Sequence, residues 1–226
     1  MIKISIIIPV YNHAEELVKT LAALKAQTFK DFEVIVINDG STDNTSSVLR
    51  EFVGIRVMDI PHSGAARARN VGASMAQGKY LIFLDADAEL TPNALEKFLT
   101  ALEANAEAAF VYSSFYFGWK KFTNLEWSRE RLKKNNFIHT TSLIRKEKFP
   151  GFDESLKRFQ DWDLWLTISK HGGKGIWIPE ILFKIAPRKS GGISKWLPSF
   201  MYKIPWLKVV KEYRQAVEII KRKHGL

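Results

Sequence analysis

The sequence predicts an α/β fold with a mainly parallel sheet flanked by helices, and three observations carry that expectation. From Ile2 to Leu84, short apolar runs alternate with amphipathic stretches of helical spacing, the pattern of successive strand–helix units. Polar residues cluster just after the apolar runs, at Tyr11 and Asn12, at Asp39 to Ser41, and at Asp85 and Asp87. A chain of 226 residues with 46% hydrophobic content can also bury one substantial core.

The expected strands are Lys3 to Val10, Phe32 to Asn38, Ile55 to Asp59 and Tyr80 to Leu84. Between them, Glu15 to Gln27 sets Leu17, Leu21 and Leu24 on one helical face, and Asp43 to Phe52 does the same with Val48, Leu49 and Phe52. Ala65 to Ala76 is small and helix-favouring. A fourth helix is expected from Thr91 to Ala104, with Thr91 as amino-terminal cap, Pro92 in the first turn and a stripe of Leu95, Phe98, Leu99 and Leu102. Beyond residue 105 the pattern changes. Ala108 to Phe117 reads as a strand, Ser128 to Asn135 as a short basic helix and Phe137 to Arg145 as another strand. A helix from Gln160 to Lys170, a turn and strand over Gly172 to Pro179, a loop at Ser190 to Ser194 and a last helix from Trp206 to Arg222 follow.

Charge is unevenly placed. Residues 1–118 hold 10 Lys+Arg against 14 Asp+Glu, whereas residues 119–226 hold 24 against 10 and carry all seven Trp. Cations mixed with interfacial aromatics suit an anionic membrane surface or an anionic polymer. No recognition-helix, zinc-finger or stacking-platform pattern accompanies them, so nucleic acid is not the expected partner. Cysteine is absent, which leaves carboxylates, His and water as the only metal ligands. Met1 to Val10 lacks a basic leader and no stretch reaches 18 apolar residues, so a cytoplasmic chain is expected.

Ligands of open parallel sheets lie outside the carboxyl ends of the strands. The run Tyr80 to Asp87 is informative there, because five apolar residues are followed by Asp85 and Asp87, which strand alternation would point to the same side. Two neighbouring carboxylates repel unless a cation compensates, and Mg2+ or Mn2+ favours carboxylate together with phosphate oxygen and water. Gly64 to Gly72 opens a helix with small residues and carries Arg67 and Arg69, placed to neutralise a diphosphate. Its glycines follow the third strand at the wrong spacing for a dinucleotide fingerprint. Asp43 and Asn44 are explained by helix capping. Asp161 and Asp163 cannot share a helical face, so one points into the crevice, and a carboxylate beside Trp162 and Trp165 can be desolvated enough to act as a base. A lone His139 or His171 has no partner motif.

In order, Ser5 to Asn12, Asn38 to Asn44, Ala68 to Gly72, Leu84 to Asp87 and Gln160 to Trp165 resemble the motifs of family 2 glycosyltransferases. The resemblance runs from residue 3 to about 185 and implies a GT-A, Rossmann-like fold with inverting chemistry on a nucleotide-diphosphate sugar. By position, it implies that Pro9, Tyr11 and Asp39 line the nucleoside pocket, Arg69 lies near the donor, Asp85 faces the ribose or metal shell, and Asp87 ligates Mn2+ or Mg2+. Asn12 and Ala86 belong to the same donor-binding motifs, and Asp161 is the implied base. The sequence departs from the family pattern at Gln160, where Glu is common, and at Ile185 to Ser194, where Arg188 and Lys189 stand near the place of a frequent His.

The implied division is a catalytic domain over 1–195, nucleotide-binding to about 104 and acceptor-side beyond, followed by a basic amphipathic tail over 196–226. Its stripe of Val209, Val210, Tyr213, Val217 and Ile220, with Trp196, Leu197, Phe200, Met201, Tyr202 and Ile204 upstream, suits an anchor on the inner face of the membrane. It equally suits packing on the catalytic domain or on a second subunit. The expected partners are a UDP, GDP or dTDP sugar and a saccharide or lipid-linked acceptor. A haloacid-dehalogenase phosphatase shares an Asp-x-Asp, but carries it on the opening strand rather than the fourth. A non-catalytic nucleotide-sugar-binding module is the remaining alternative.

Overall fold

The computed structural model describes residues 2–187 and 207–226. The expected loop at Ser190 to Ser194, the cations Arg188 and Lys189, and the apolar residues from Trp196 to Trp206 lie outside the described residues. Strands β1 (Ile4–Val10), β2 (Phe32–Asp39), β3 (Ile55–Ile60) and β4 (Tyr80–Phe83) form a parallel half-sheet in the order β3-β2-β1-β4. The connecting helices are α1 (Ala14–Lys25), α2 (Thr45–Glu51) and α3 (Ala65–Met75), and α4 (Ala94–Glu103) follows.

Alternation along β1 divides the core into two layers. Ile4, Ile6 and Ile8 pack with Leu17, Leu21 and Leu24 of α1 and with Leu95, Phe98 and Leu102 of α4. Ile7 faces the other layer with Ile35, Ile37, Leu81 and Phe83, beneath α3. The central strands are buried on both faces, which is why their sequence is a continuous apolar run. Gly72 lets α3 approach closely, since a Cβ there would lie 2.4 Å from Ile7 Cγ2.

The second half of the sheet is mixed. Strand β8 (Leu143–Arg145) runs antiparallel to both β4 and β6 (Ala108–Phe117), so β6 runs in the same direction as β4. Strand β9 (Lys174–Ile185) lies parallel to β6 and antiparallel to β5 (Ala88–Leu90), while β7 (Lys120–Phe122) makes a hairpin with β6. Helices α5 (Arg129–Lys134), α6 (Gln160–Lys170) and α7 (Lys208–His224) complete the described chain. The carboxyl ends of β1, β2, β4 and β6 therefore open on one edge.

Several boundaries differ from the sequence expectation, and four of them bear on the site or the tail. Helix α4 starts at Ala94 because the Thr91 N–H bonds Leu182 O, holding Thr91 on the β5–β9 ladder instead of at a cap. Strand β9 continues past Pro179 because Pro179 and Glu180 fall in a register slip between the Ser113–Ile178 and Ser114–Ile181 pairs, so the missing N–H costs no ladder bond. Residues 136–142 are not strand. There, the Asn136 side chain accepts the Ile138 N–H, the His139 ring accepts the Thr141 N–H and the Ser142 hydroxyl donates to His139 O, local bonds that compete with sheet pairing. Finally, α7 begins at Lys208 and packs Val210, Val217 and Ile220 against the body, with Val210 and Ile220 essentially unexposed.

Candidate active site

The open edge carries two polar clusters joined by α3. The first forms where β1 and β2 end. Asp39, buried, accepts the backbone N–H of Ser63 at 2.7 Å and of Gly64 at 2.9 Å, and its Oδ2 lies 3.0 Å from His62 Nδ1. Gly40 is required beside it: φ is +72° and a Cβ would meet the His62 nitrogen at 2.8 Å. His62 stacks on Tyr11 with centroids 3.9 Å apart. Asn12, at φ +54°, accepts the Thr42 N–H at 2.7 Å and the Asp43 N–H at 3.3 Å, and so ties the end of β1 to the loop after β2. Asp43 accepts from Thr45 and Ala14, bracing the first turns of α2 and α1 as the capping reading expects, although the cap position itself is Asn44. Pro9 pairs with Ile37 beyond the last β1–β4 pair.

The second cluster lies five residues along α3. Arg69, buried, donates from Nη2 to Asp85 Oδ1 at 2.7 Å and from Nη1 to Gln160 Oε1 at 3.0 Å. Its Nε is buried without a partner. At 1.5 Å rise per residue, Gly64 and Arg69 are separated by about 7.5 Å along the helix. Arg67, the other expected cation, points outward to Glu154 instead.

The pair at Asp85 and Asp87 is held by a turn and not by strand alternation. Strand β4 ends at Phe83, and the Ala88 N–H bonds Asp85 O at 3.0 Å. Ala86 is buried and its carbonyl accepts the Thr20 hydroxyl at 2.8 Å. Asp87 is buried too, and its carbonyl accepts the Ala186 N–H at 2.9 Å, fixing the turn to the end of β9. Among the described residues no group of three His, Asp or Glu is arranged to hold a metal ion. From the described residues alone, an ion at Asp87 would have few protein ligands.

Asp161 sits in the first turn of α6, after Phe159 in the left-handed conformation at φ +59°. Its Oδ2 accepts Asn136 Nδ2 at 2.7 Å and its Oδ1 the Trp162 N–H at 2.9 Å. Burial pushes the carboxyl above the ordinary aspartate value, against the opposing pull of His139, Trp162, Asn136 and Arg69. The residue as a whole is only half-buried. Asp163, as the helical spacing requires, points away. It is buried against α7, where Lys223 Nζ lies 2.8 Å and His224 Nε2 2.8 Å from Oδ1.

The site thus brings together Arg69, Asp85 and Asp161, with Asp87 two residues along the turn, and sets Tyr11, Asn12 and Asp39 at the neighbouring strand ends. Sequence reasoning missed His62 and set His139 aside as a lone histidine. His139 Nε2 lies 3.7 Å from Asp85 Oδ2. Neither histidine belongs to a local motif, and only pairings across the fold reveal them. Two hollows of about 430 and 500 Å³ lie elsewhere, around Trp127 and Lys174 and around Lys97 and Glu180, without such a set of groups.

The profile of the family described as Glycosyl transferase family 2 matches residues 5–163. The chain belongs to this family. Chondroitin synthase of Pasteurella multocida is 31% identical over 188 residues, which cover 75% of this chain and 19% of that protein. Teichoic acid poly(glycerol phosphate) polymerase of Staphylococcus epidermidis is 30% identical over 194 residues, covering 77% and 26% respectively. The chain therefore spans about a fifth to a quarter of these relatives' length. Among solved structures, S. aureus TarS 1–349 in complex with UDP-GlcNAc superposes with a TM-score of 0.76 at 18% identity, over 98% of this chain and 72% of that one. The mannosyltransferase PcManGT from Pyrobaculum calidifontis, in complex with GDP-Man and Mn2+, gives 0.66 at 19% identity, over 84% and 59%. These likenesses establish the GT-A fold for the family 2 chain.

Proposed function

We propose that this chain is an inverting glycosyltransferase that moves a sugar from a nucleotide-diphosphate donor to an acceptor hydroxyl, in the synthesis of a surface polysaccharide, glycolipid or other glycan. The observation that carries the reading is the Arg69 bridge, which joins Asp85 on the strand side to Gln160 beside Asp161. That bridge puts a cation and a partly desolvated carboxylate at one place, as a displacement between an anionic leaving group and a hydroxyl requires.

In this reading Pro9, Tyr11 and Asp39 line the nucleoside pocket, Asn12 and Ala86 belong to the same donor-binding motifs, Arg69 lies near the donor, and Asp85 faces the ribose or metal shell. Asp161 takes the proton of the acceptor hydroxyl as its oxygen bonds the anomeric carbon. The bond from that carbon to the diphosphate oxygen breaks with its electron pair leaving on the nucleoside diphosphate. One displacement inverts the anomeric configuration. Asp87 is a hard carboxylate that would hold Mn2+ or Mg2+, and such an ion would neutralise charge on the leaving group. UDP, GDP and dTDP sugars are the donor candidates, and a saccharide or lipid-linked molecule is the acceptor. The catalytic unit is assigned to 1–195, with peripheral association on the inner face of the membrane through 196–226.

The test is donor binding and turnover in Asp161→Asn. Retained donor affinity with transfer reduced about 10²- to 10⁴-fold supports the reading. Unchanged transfer rules Asp161 out as the base, and a wild-type chain that binds donor but never transfers is the non-catalytic module.

A further inference from the structure

His139 is delivered to the crevice by the irregular segment 136–142, and three contacts fix its ring. Phe115 of β6 and Phe183 of β9 lie on its flanks, each with its centroid 5.3 Å away. Those two phenyl rings are themselves stacked, with centroids 4.9 Å apart and planes 5° from parallel. The Thr141 backbone N–H donates to Nδ1 at 3.0 Å. A ring nitrogen that accepts an N–H carries no proton, so the neutral imidazole holds its hydrogen on Nε2.

That Nε2–H looks toward Asp85, whose Oδ2 is 3.7 Å away, beyond hydrogen-bond range, while Oδ1 of the same carboxylate is engaged by Arg69. The ring is largely buried, its side chain 19% exposed, and it belongs to the same irregular segment whose Asn136 holds Asp161 Oδ2 at 2.7 Å. A group fixed between Asp85 and Asp161 faces the place where the glycosyl unit must sit if the proposed function holds, since the leaving diphosphate lies on one side and the base on the other. A sugar hydroxyl at that place can accept from Nε2–H, because its oxygen carries two acceptor sites.

We propose that His139 is a sugar-selecting residue, whose Nε2–H binds a hydroxyl of the transferred pyranose and so discriminates donors by their glycosyl part. The inference rests on the nucleotide-sugar reading above, and the experiment separates the two. The full chain, with Mn2+, is titrated calorimetrically with UDP and UDP-GlcNAc and with GDP and GDP-mannose. The same titrations are made on His139→Phe, which keeps an aromatic ring between Phe115 and Phe183 but has no donor, and on His139→Gln, which keeps an N–H of similar reach. The expected result is a roughly tenfold loss of affinity for the nucleotide sugar in His139→Phe, less than twofold loss for the bare diphosphate, and partial recovery in His139→Gln. Equal losses for sugar and diphosphate, or none for either, would overturn the inference while leaving the nucleotide-sugar reading intact. A wild-type chain that binds none of the four probes, nor dTDP and dTDP-glucose titrated in the same way, defeats both.

Discussion

Asp161 combines solvent access with a raised pKa, and the two properties make opposite demands. A base must be ionised to act, so kcat/KM should fall as pH drops through the folded pKa of Asp161, at a pH above that of an ordinary aspartate. Asp161→Asn should remove this acid limb along with most of the activity. For stability the sign reverses. A raised carboxyl pKa means that the native state binds the proton more tightly than the unfolded chain, so the ionised form costs stability above that pKa and the cost is relieved as pH falls through it. Asp161→Asn is therefore expected to melt at or above the wild-type temperature at neutral pH, and a clear drop would show that the carboxylate stabilises the fold. Asp87 belongs at the same scale. If it holds the ion, UDP with Mn2+ should raise the melting temperature of the wild type, and chelation or Asp87→Ala should abolish most of that shift. Metal-independent stabilisation of equal size would count against it. Most of these residues were legible because motif residues sit at strand ends, where fold geometry forces convergence. His62 and His139 were not, since each acquires meaning from Asp39 or Asp85, 23 and 54 positions away.

At the scale of elements, the parallel half followed from hydrophobic periodicity, because β1, β2 and β4 are buried on both faces and declare themselves as apolar runs. The mixed half did not. Strands β5, β7 and β8 are three residues each, too short to leave a period, and β9 hides its length behind Pro179. The amphipathic stripe of α7 was legible while its destination was not, as a protein core and a membrane ask for the same pattern. The structure places that stripe on the body and clamps it electrostatically. Lys223 Nζ bridges Asp163 at 2.8 Å and Asp153 at 2.6 Å, and His224 adds a bond to Asp163. Asp163 is 3% exposed, so removing both cations would leave a buried carboxylate unpaired. The double variant Lys223→Ala, His224→Ala should lose about 3 kcal/mol in urea unfolding, and Asp163→Asn in that background should restore part of it. An unchanged midpoint would mean that the clamp contributes nothing. The Lys223 bond also holds the Asp153 carboxyl at about 2. Its contribution is thus present above the ordinary aspartate range and is lost as pH falls toward 2.

For the molecule as a whole, the charge division matters most, with net charge near −4 before residue 119 and +14 from there on. The acidic part holds the strand-end residues from Tyr11 to Asp87, and the basic part supplies Gln160 and Asp161 together with α5, α7 and the segment 188–206. No described helix is long and apolar enough to cross a membrane. With Val210 and Ile220 spent on the core, an interfacial anchor would have to draw on the aromatic residues between Trp196 and Trp206. Cutting the chain before Trp196 would be a poor test, because it also strips α7 from Asp163. Substituting Trp196 and Trp206 with Ala leaves that clamp in place. If the anchor exists, the intact chain should sediment with vesicles containing anionic lipid at low salt, release substantially as ionic strength rises, and bind neutral vesicles poorly. The double Trp variant should lose most of the vesicle-bound fraction while its melting temperature holds. Equal partitioning of both proteins would remove these tryptophans from the anchor, and binding unaffected by salt would remove the electrostatic term, leaving the basic half to meet an anionic acceptor in solution.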